Sequence, residues 1–474
     1  MAVLLMNCGE SSVGSPGSDT ASTTPPDTAT ATDADIALDS GTETEDRVED
    51  DIGAVEPSPV QFPAEAVDLD SDPAVMHVEL EAAPLAEPTS SGFLYGYNGQ
   101  VPGPTIRLRV GDRLRVDLTN ALGTPTTIHW HGMHVPYAMD GSLWRRDPIA
   151  AGETFRYEFI ADRPGTFWYH PHFDTEQQVD LGLYGVIVVE ALAEPAVDRD
   201  VVLVFDTPAE RRDPQTPPGH AVSVRPTWLI NGYPADVMEV AAGERIRARV
   251  LNASNMAYLA IDRAGRLEIA GDQGLHSAGV SDGVLLLAPG DRAEFEWRPG
   301  REMSEVSTLP YSLYGPAPGL ASALLSFEST GELGPASPLA WPFDAVAPSA
   351  DPTFTDVVYV FSGSDDAGGW FINGEVFPDI TPTTVQLGTS VVIEVRNLSH
   401  SEHPFHLHGM AFELLSVDGI ASPHRRVEDT VNVAIGQRVR ILVEADNPGA
   451  WMAHCHILSH ADDGMMTIFE VEDP

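Results

Sequence analysis

The feature that most constrains this chain is a unit that occurs three times. Asn98-Gly99 leads to Gly111, an Arg/Val strand and Asn120; Asn231-Gly232 leads to Gly243, a similar strand and Asn252; Asn373-Gly374 leads to Gly388, another strand and Asn397. The Gly-to-Asn interval is nine residues in every copy. Self-similarity at one spacing implies homologous domains. Around each copy, short alternating apolar and polar stretches are punctuated by Gly, Pro, Asn and Asp, with almost no helical period, which is the pattern of β-sandwiches. A chain of 474 residues accommodates two to four domains. Three are expected here, over 75–195, 196–345 and 346–474. Residues 1–74 are rich in Ser, Thr, Pro, Ala, Asp and Glu, carry Arg47 as their one basic residue and show no hydrophobic period, so they read as a disordered acidic linker.

Two of the three copies carry extra chemistry. Nine residues past Asn120 comes His129-Trp130-His131-Gly132, and nine past Asn397 comes His406-Leu407-His408-Gly409. Further on, Pro164-Gly165 precedes Trp168 and His170-Pro171-His172, while Pro448-Gly449 precedes Trp451 and His454-Cys455-His456. The middle copy has Ile261 and Arg263 at the matching places. In a strand, residues two apart share a face, so each His-x-His presents two imidazoles side by side. Four pairs give eight, and eight neutral imidazoles converging between the first and third domains suit a cluster of copper ions.

Parity places a second site on the other face of the same strands. His403 lies an odd number of residues from His406 and His408, and Cys455 lies between His454 and His456, so both point into the third domain. His460 and Met465 complete two imidazoles, a thiolate and a thioether, the donor set of an electron-transfer copper. Cys455 thereby links the two sites through its own backbone. Pro171 takes its place in the first domain, which excludes that copper there.

From about residue 75 to 474 the chain resembles the three-domain multicopper oxidases, the family of laccases, bacterial copper-efflux oxidases and bilirubin oxidase. The matching segments are His129–Gly132, Trp168–His172, His403–Gly409 and His454 through Met466. The resemblance implies an all-β chain of three cupredoxin-like Greek-key domains holding four copper ions. His403, Cys455, His460 and Met465 resemble the type 1 ligands, His129 and His406 the type 2 ligands, and His131, His170, His172, His408, His454 and His456 the type 3 ligands. It also implies reduction of dioxygen to water, with Asp140 as a proton relay beside the type 2 copper. The competing reading of Asp140 is an Asp-Gly turn with Gly141. Ala461 stands where some relatives have a second acid, and Asp462 is the substitute. The remaining histidines, His77, His134, His220, His276, His400 and His424, are expected on the surface or satisfied in the core, and Met133, Met139 and Met410 are expected to pack.

Composition bounds the partners. A net charge of −45 excludes a general nucleic-acid binder. Of the two cysteines, Cys455 is taken by the metal site, and Cys8 ends a short apolar stretch that resembles a bacterial lipoprotein signal. A lipid anchor at Cys8 and a place in the bacterial cell envelope or outside the cell are therefore expected, for a monomer. The twelve Met residues are scattered, with no Met-rich insert. Phenols or aromatic amines, oxidised through an exposed edge of His460 or His403, are the expected substrates. The alternatives are a metallo-oxidase for Cu(I), Fe(II) or Mn(II) drawn by the acidic surface, and a copper-free envelope scaffold.

Overall fold

The computed structural model describes residues 58–208, 227–235, 237–241, 243–264, 266–299, 305–330, 339–343, 346–364 and 369–473. Among them the regular elements are almost all strands, with short helices at Tyr137–Met139, Thr175–Asp180 and Leu458–Asp462. No helix of the described residues is long and apolar enough to cross a membrane.

The repeated unit has one structural meaning in all three places. Its strands are Arg113–Asn120, Ile246–Asn252 and Ser390–Asn397. Each lies inside a sheet, parallel to one neighbour and antiparallel to the next: Val75–Pro84 and Thr154–Ile160 in the first, Arg199–Asp206 and Arg292–Trp297 in the second, Val357–Ser364 and Arg438–Glu444 in the third. In the first copy Leu114, Val116 and Leu118 alternate inward, as period two requires.

The repeated asparagines do the same work three times. Asn98, Asn231 and Asn373 adopt φ of +52°, +54° and +56°, a left-handed turn that asparagine tolerates better than most residues. Their side chains accept from Glu81 N, Val204 N and Val360 N at 2.7, 2.8 and 2.8 Å, tying each turn to the preceding strand. Asn120, Asn252 and Asn397 are fully buried. Each donates through Nδ2 to two loop or strand carbonyls: Thr124 and Ile149, Ala257 and Leu287, Ser401 and Val433. Only an amide of that length satisfies both carbonyls at once, which is why the spacing survives in a sequence otherwise diverged.

A second sheet faces each of these. His129–His131 and Gly165–His170 pair in a four-stranded sheet, and His403–Leu407 lies between Thr430–Val433 and Gly449–Cys455 in a five-stranded one. The middle sandwich has its own core of residues such as Leu203, Val250, Phe295 and Leu325. Another apolar cluster runs through the first and third, from Leu114 and Trp130 to Phe405, Cys455 and Met465.

The linker expected over 1–74 ends sooner. Val60 N donates to Val237 O at 2.9 Å and Ala66 N to Thr105 O at 2.8 Å, so the described stretch from Ser58 is bridged to the body. Backbone groups at strand edges accept partners of any side-chain composition, which a compositional reading cannot detect. Cys8 and its leader, like His220, lie outside the described residues.

Candidate metal centre

Antiparallel pairing decides which histidines meet. His129 stands opposite His170, and His406 opposite His454. Residues directly opposite share a face. All eight motif imidazoles are buried in one cluster. His406 Nε2 lies 3.4 Å from His129 Nε2, His408 Nε2 3.1 Å from His454 Nε2, and His172 Nε2 3.4 Å from that same nitrogen. A metal at roughly 2 Å from each nitrogen holds two imidazoles about this far apart. His172, His408 and His454 form one set of convergent donors. The rings of His131, His170 and His456 form another, with centroids 4.9 to 5.8 Å apart.

The outward nitrogens are anchored. A carbonyl can only accept, so His129 Nδ1 donates to Asp140 O (3.0 Å), His406 Nδ1 to Asp429 O (2.9 Å), His170 Nδ1 to Pro171 O (2.8 Å) and His454 Nδ1 to Cys455 O (2.8 Å). His408 Nδ1 meets Asp140 Oδ2 at 2.9 Å. Each such bond leaves Nε2 as a lone pair facing inward, the arrangement that metal-binding histidines use. Burial, reinforced by neighbouring imidazoles, lowers the pKa of His131, His170, His172, His408 and His456 far below the usual range. His454 falls to about 3 for the same reasons. Those six rings are neutral donors. Nε2 of His170 and both nitrogens of His456 have no hydrogen-bond partner although buried, and an unsatisfied buried polar atom costs about 1–3 kcal/mol unless something binds it.

The second site occupies the opposite face, as parity requires. Phe405, not a histidine, stands opposite Cys455. Cys455 Sγ lies 3.4 Å from His403 Nδ1 and 3.8 Å from His460 Nδ1, and those two nitrogens are 3.2 Å apart. His403 Nε2 is held by Ser399 Oγ at 2.7 Å. Met465 is fully buried in the same apolar cluster as Cys455, whose N donates to Met465 O at 3.1 Å. Without a cation, burial pushes the Cys455 thiol up, so a thiolate there requires one.

Family models described as multicopper oxidase match residues 82–194 and 349–474. The multicopper oxidase MmcO of Mycobacterium tuberculosis is 32% identical over 81% of this chain and 84% of its own. The chain belongs to the multicopper oxidase family. Laccase-4 of Trametes villosa is 28% identical over 78% of this chain and 84% of its own. A crystal structure of a Campylobacter jejuni multicopper oxidase, described as a metallo-oxidase, superposes with a TM-score of 0.74 at 26% identity, covering 89% of this chain and 96% of that one. Membership makes the chain a copper-dependent oxidoreductase with dioxygen as acceptor, and its domains cupredoxin-like.

In this multicopper oxidase a second layer of side chains stands behind the imidazoles. Asp140 lies in the Asp-Gly turn and against two rings of the cluster at once. It closes the turn into Gly141, where a Cβ would sit 1.8 Å from Ile128 O, and it also engages His129 and His408. Burial raises its pKa, but His129 and further hydrogen bonds outweigh that and keep the carboxyl below its usual range. Asp462 accepts from Glu176 N at 2.9 Å, in the first turn of the helix Thr175–Asp180, and burial pushes its carboxyl up to about 6. The edge of His460 expected to be exposed is not: His403 is fully buried, His460 is 5% exposed, and Trp370 stacks on His460 with centroids 4.1 Å apart. Met133 and Met410 are core residues and Met139 packs beside them.

Three groups had no signal in the motifs. Asp429 Oδ1 accepts from His131 Nε2 at 2.9 Å, and Arg292 of the middle repeat donates to both oxygens of Asp429. Burial raises the Asp429 pKa, but Arg292 and His131 outweigh it and hold the carboxyl well below the usual range. His131, His406 and Asp429 also converge closely enough to bind a cation. The cation there is the Arg292 guanidinium. Neither residue adjoins a His-x-His spacing, and Arg292 belongs to the copy without His-x-His pairs. Trp370 lies in a strand that reads as ordinary core. Of the background histidines, His77 pairs with Asp117, His134 with Asp162 and His276 with Glu268.

Proposed function

We propose that this chain is a laccase-like multicopper oxidase that takes single electrons from phenols or aromatic amines at a type 1 copper and reduces dioxygen to water at a three-copper cluster. In this reading His403, Cys455, His460 and Met465 hold the type 1 ion. His129 and His406 hold the type 2 ion, and His131, His170, His172, His408, His454 and His456 the type 3 pair. The unpartnered inward nitrogens of His170 and His456, and the neutral donor set around them, support the fit. Bound copper supplies the single-electron steps and the dioxygen chemistry.

The side chains do the rest. Cys455 ends the strand Gly449–Cys455, with His454 before it and His456 directly after, so its backbone is a continuous covalent path from one site to the other. Asp140 fixes two rings through Nδ1 and is placed to pass protons toward the type 2 position. Trp370 excludes water from His460.

The observation that carries the aromatic-donor reading is that cover. An indole that is itself buried, not a row of thioethers, lies over the type 1 histidine, and the sequence carries no Met-rich insert that would dock a metal ion there. A metallo-oxidase is the second reading, favoured by the net charge of −45 and by the likeness to the Campylobacter jejuni enzyme. The deciding measurement is kcat/KM for a dimethoxyphenol against Cu(I), on the chain with and without residues 1–57. The phenol is expected to win; a tenfold or larger advantage for Cu(I) in the shortened chain replaces this reading by the second.

A further inference from the structure

We propose that Arg292 and Asp429 are a positioning pair through which the middle repeat sets the ring orientation of His131. The inference rests on the copper reading of the imidazole groups. His131 is the exception among the anchored rings. His129, His170, His406, His408 and His454 are held from behind through Nδ1. His131 is held through Nε2, by Asp429 Oδ1 at 2.9 Å and Thr430 Oγ1 at 3.1 Å, and its Nδ1 is buried without a partner. The nitrogen that His131 offers to the cluster is thus decided by where Asp429 stands.

Asp429 cannot choose its own place. Arg292 Nη1 donates to Oδ1 at 2.8 Å and Nη2 to Oδ2, while Gln273 Nε2 donates to Oδ2 at 2.6 Å. Arg292 spends its remaining donors on Thr166 O (3.0 Å), Gly290 O (3.2 Å) and Asp272 O (3.0 Å). All five guanidinium donors are therefore engaged, in a side chain with no solvent exposure. Their acceptors come from all three repeats. Asp272 adds a second tie, accepting from Arg292 N at 2.8 Å and Thr430 N at 3.1 Å. Gly132, directly after His131, has no room for a Cβ, which would stand 2.5 Å from both Arg292 Nη2 and Asp429 Oδ2. A planar fork so fully satisfied is rigid, and an ammonium cannot replace it. The middle repeat, with Ile261 and Arg263 where the others have ligands, enters the site by holding ligands that the other two supply.

The test uses the copper-loaded protein and a competing chelator, following thiolate colour and copper content separately. Arg292→Lys is expected to release cluster copper roughly ten- to a hundredfold more readily than the unaltered chain while the blue type 1 copper is retained as before. Asp429→Asn should do the same, and the double variant should be no worse than the worse single, because both act through His131. Copper lost equally from both sites, or additive effects, would overturn the proposal and leave Arg292 a purely structural residue. If Arg292→Lys does not fold, Gln273→Leu replaces it: a several-fold loss confined to the cluster supports the pair, and unchanged retention overturns it. An unaltered chain that binds no copper at the imidazoles would sink the copper reading instead, a different result.

Discussion

At the scale of single residues, the chemistry depends on which atoms are left without partners. Cys455 accepts only from Ile457 N at 3.4 Å and otherwise faces two imidazoles. Cys455→Ser should abolish the blue thiolate-to-copper absorption while the cluster keeps its copper; a serine variant that stayed blue would rule out the type 1 assignment. Met465→Leu should keep the colour and raise the reduction potential, since loss of a weak axial donor favours Cu(I). Spectroelectrochemical titration reads that shift, and loss of all type 1 copper would mean that Met465 is a required ligand. Gly141 has φ of +79° and no space for a methyl group. Gly141→Ala should cost roughly 2–4 kcal/mol, measured by denaturant unfolding, because Asp140 cannot hold its place while Ile128 O occupies the same volume.

At the scale of elements, the three buried asparagines allow a controlled comparison. Each donates to two carbonyls, so replacement by Ala removes two buried hydrogen bonds, at a cost of about 1–3 kcal/mol. Their neighbours differ. Asn397 Oδ1 accepts from Ser399 Oγ at 2.7 Å, and Ser399 in turn holds His403. Asn252 has the equivalent Ser254, also at 2.7 Å, but no histidine follows it. Asn397→Ala and Asn252→Ala should lower stability alike, yet only the former should weaken retention of the type 1 copper. Equal copper retention in both would separate the asparagine from the metal site. The repeat was legible in the sequence because one hydrogen-bond geometry imposes one spacing. The Ser399 link was not, because a serine two residues on has the same spacing in the middle copy, where it serves the turn alone.

At the scale of the whole molecule, burying so many imidazoles couples the metal site to stability. His454 and His460 titrate at about 3 in the folded chain, both because burial penalises the charged ring. An unfolded histidine titrates near 6.5. Between those values the unfolded chain binds more protons than the folded one, so stability is full above about pH 6.5 and falls as pH drops toward 3. Metal-free protein should therefore show a urea midpoint clearly lower at pH 5.5 than at 7.5. An unchanged midpoint would mean that these rings are not buried when metal is absent.

The sequence by itself determined the three-fold repeat, the all-β class and the division of the motif histidines and Cys455 between two faces. Period two converts His129-Trp-His131 or His454-Cys-His456 directly into a direction in space, and spacing then needs no coordinates. What only the tertiary structure decided is the layer behind the ligands. Asp429 reaches His131 across 298 residues, and Arg292 reaches Asp429 across 137. Trp370 comes to cover His460 because the strand Gly369–Ile372 and the short helix Leu458–Asp462 meet, not because of any pattern along either one. Local periodicity fixes where a side chain points within its strand, whereas its partner there is set by how the sheets close on one another.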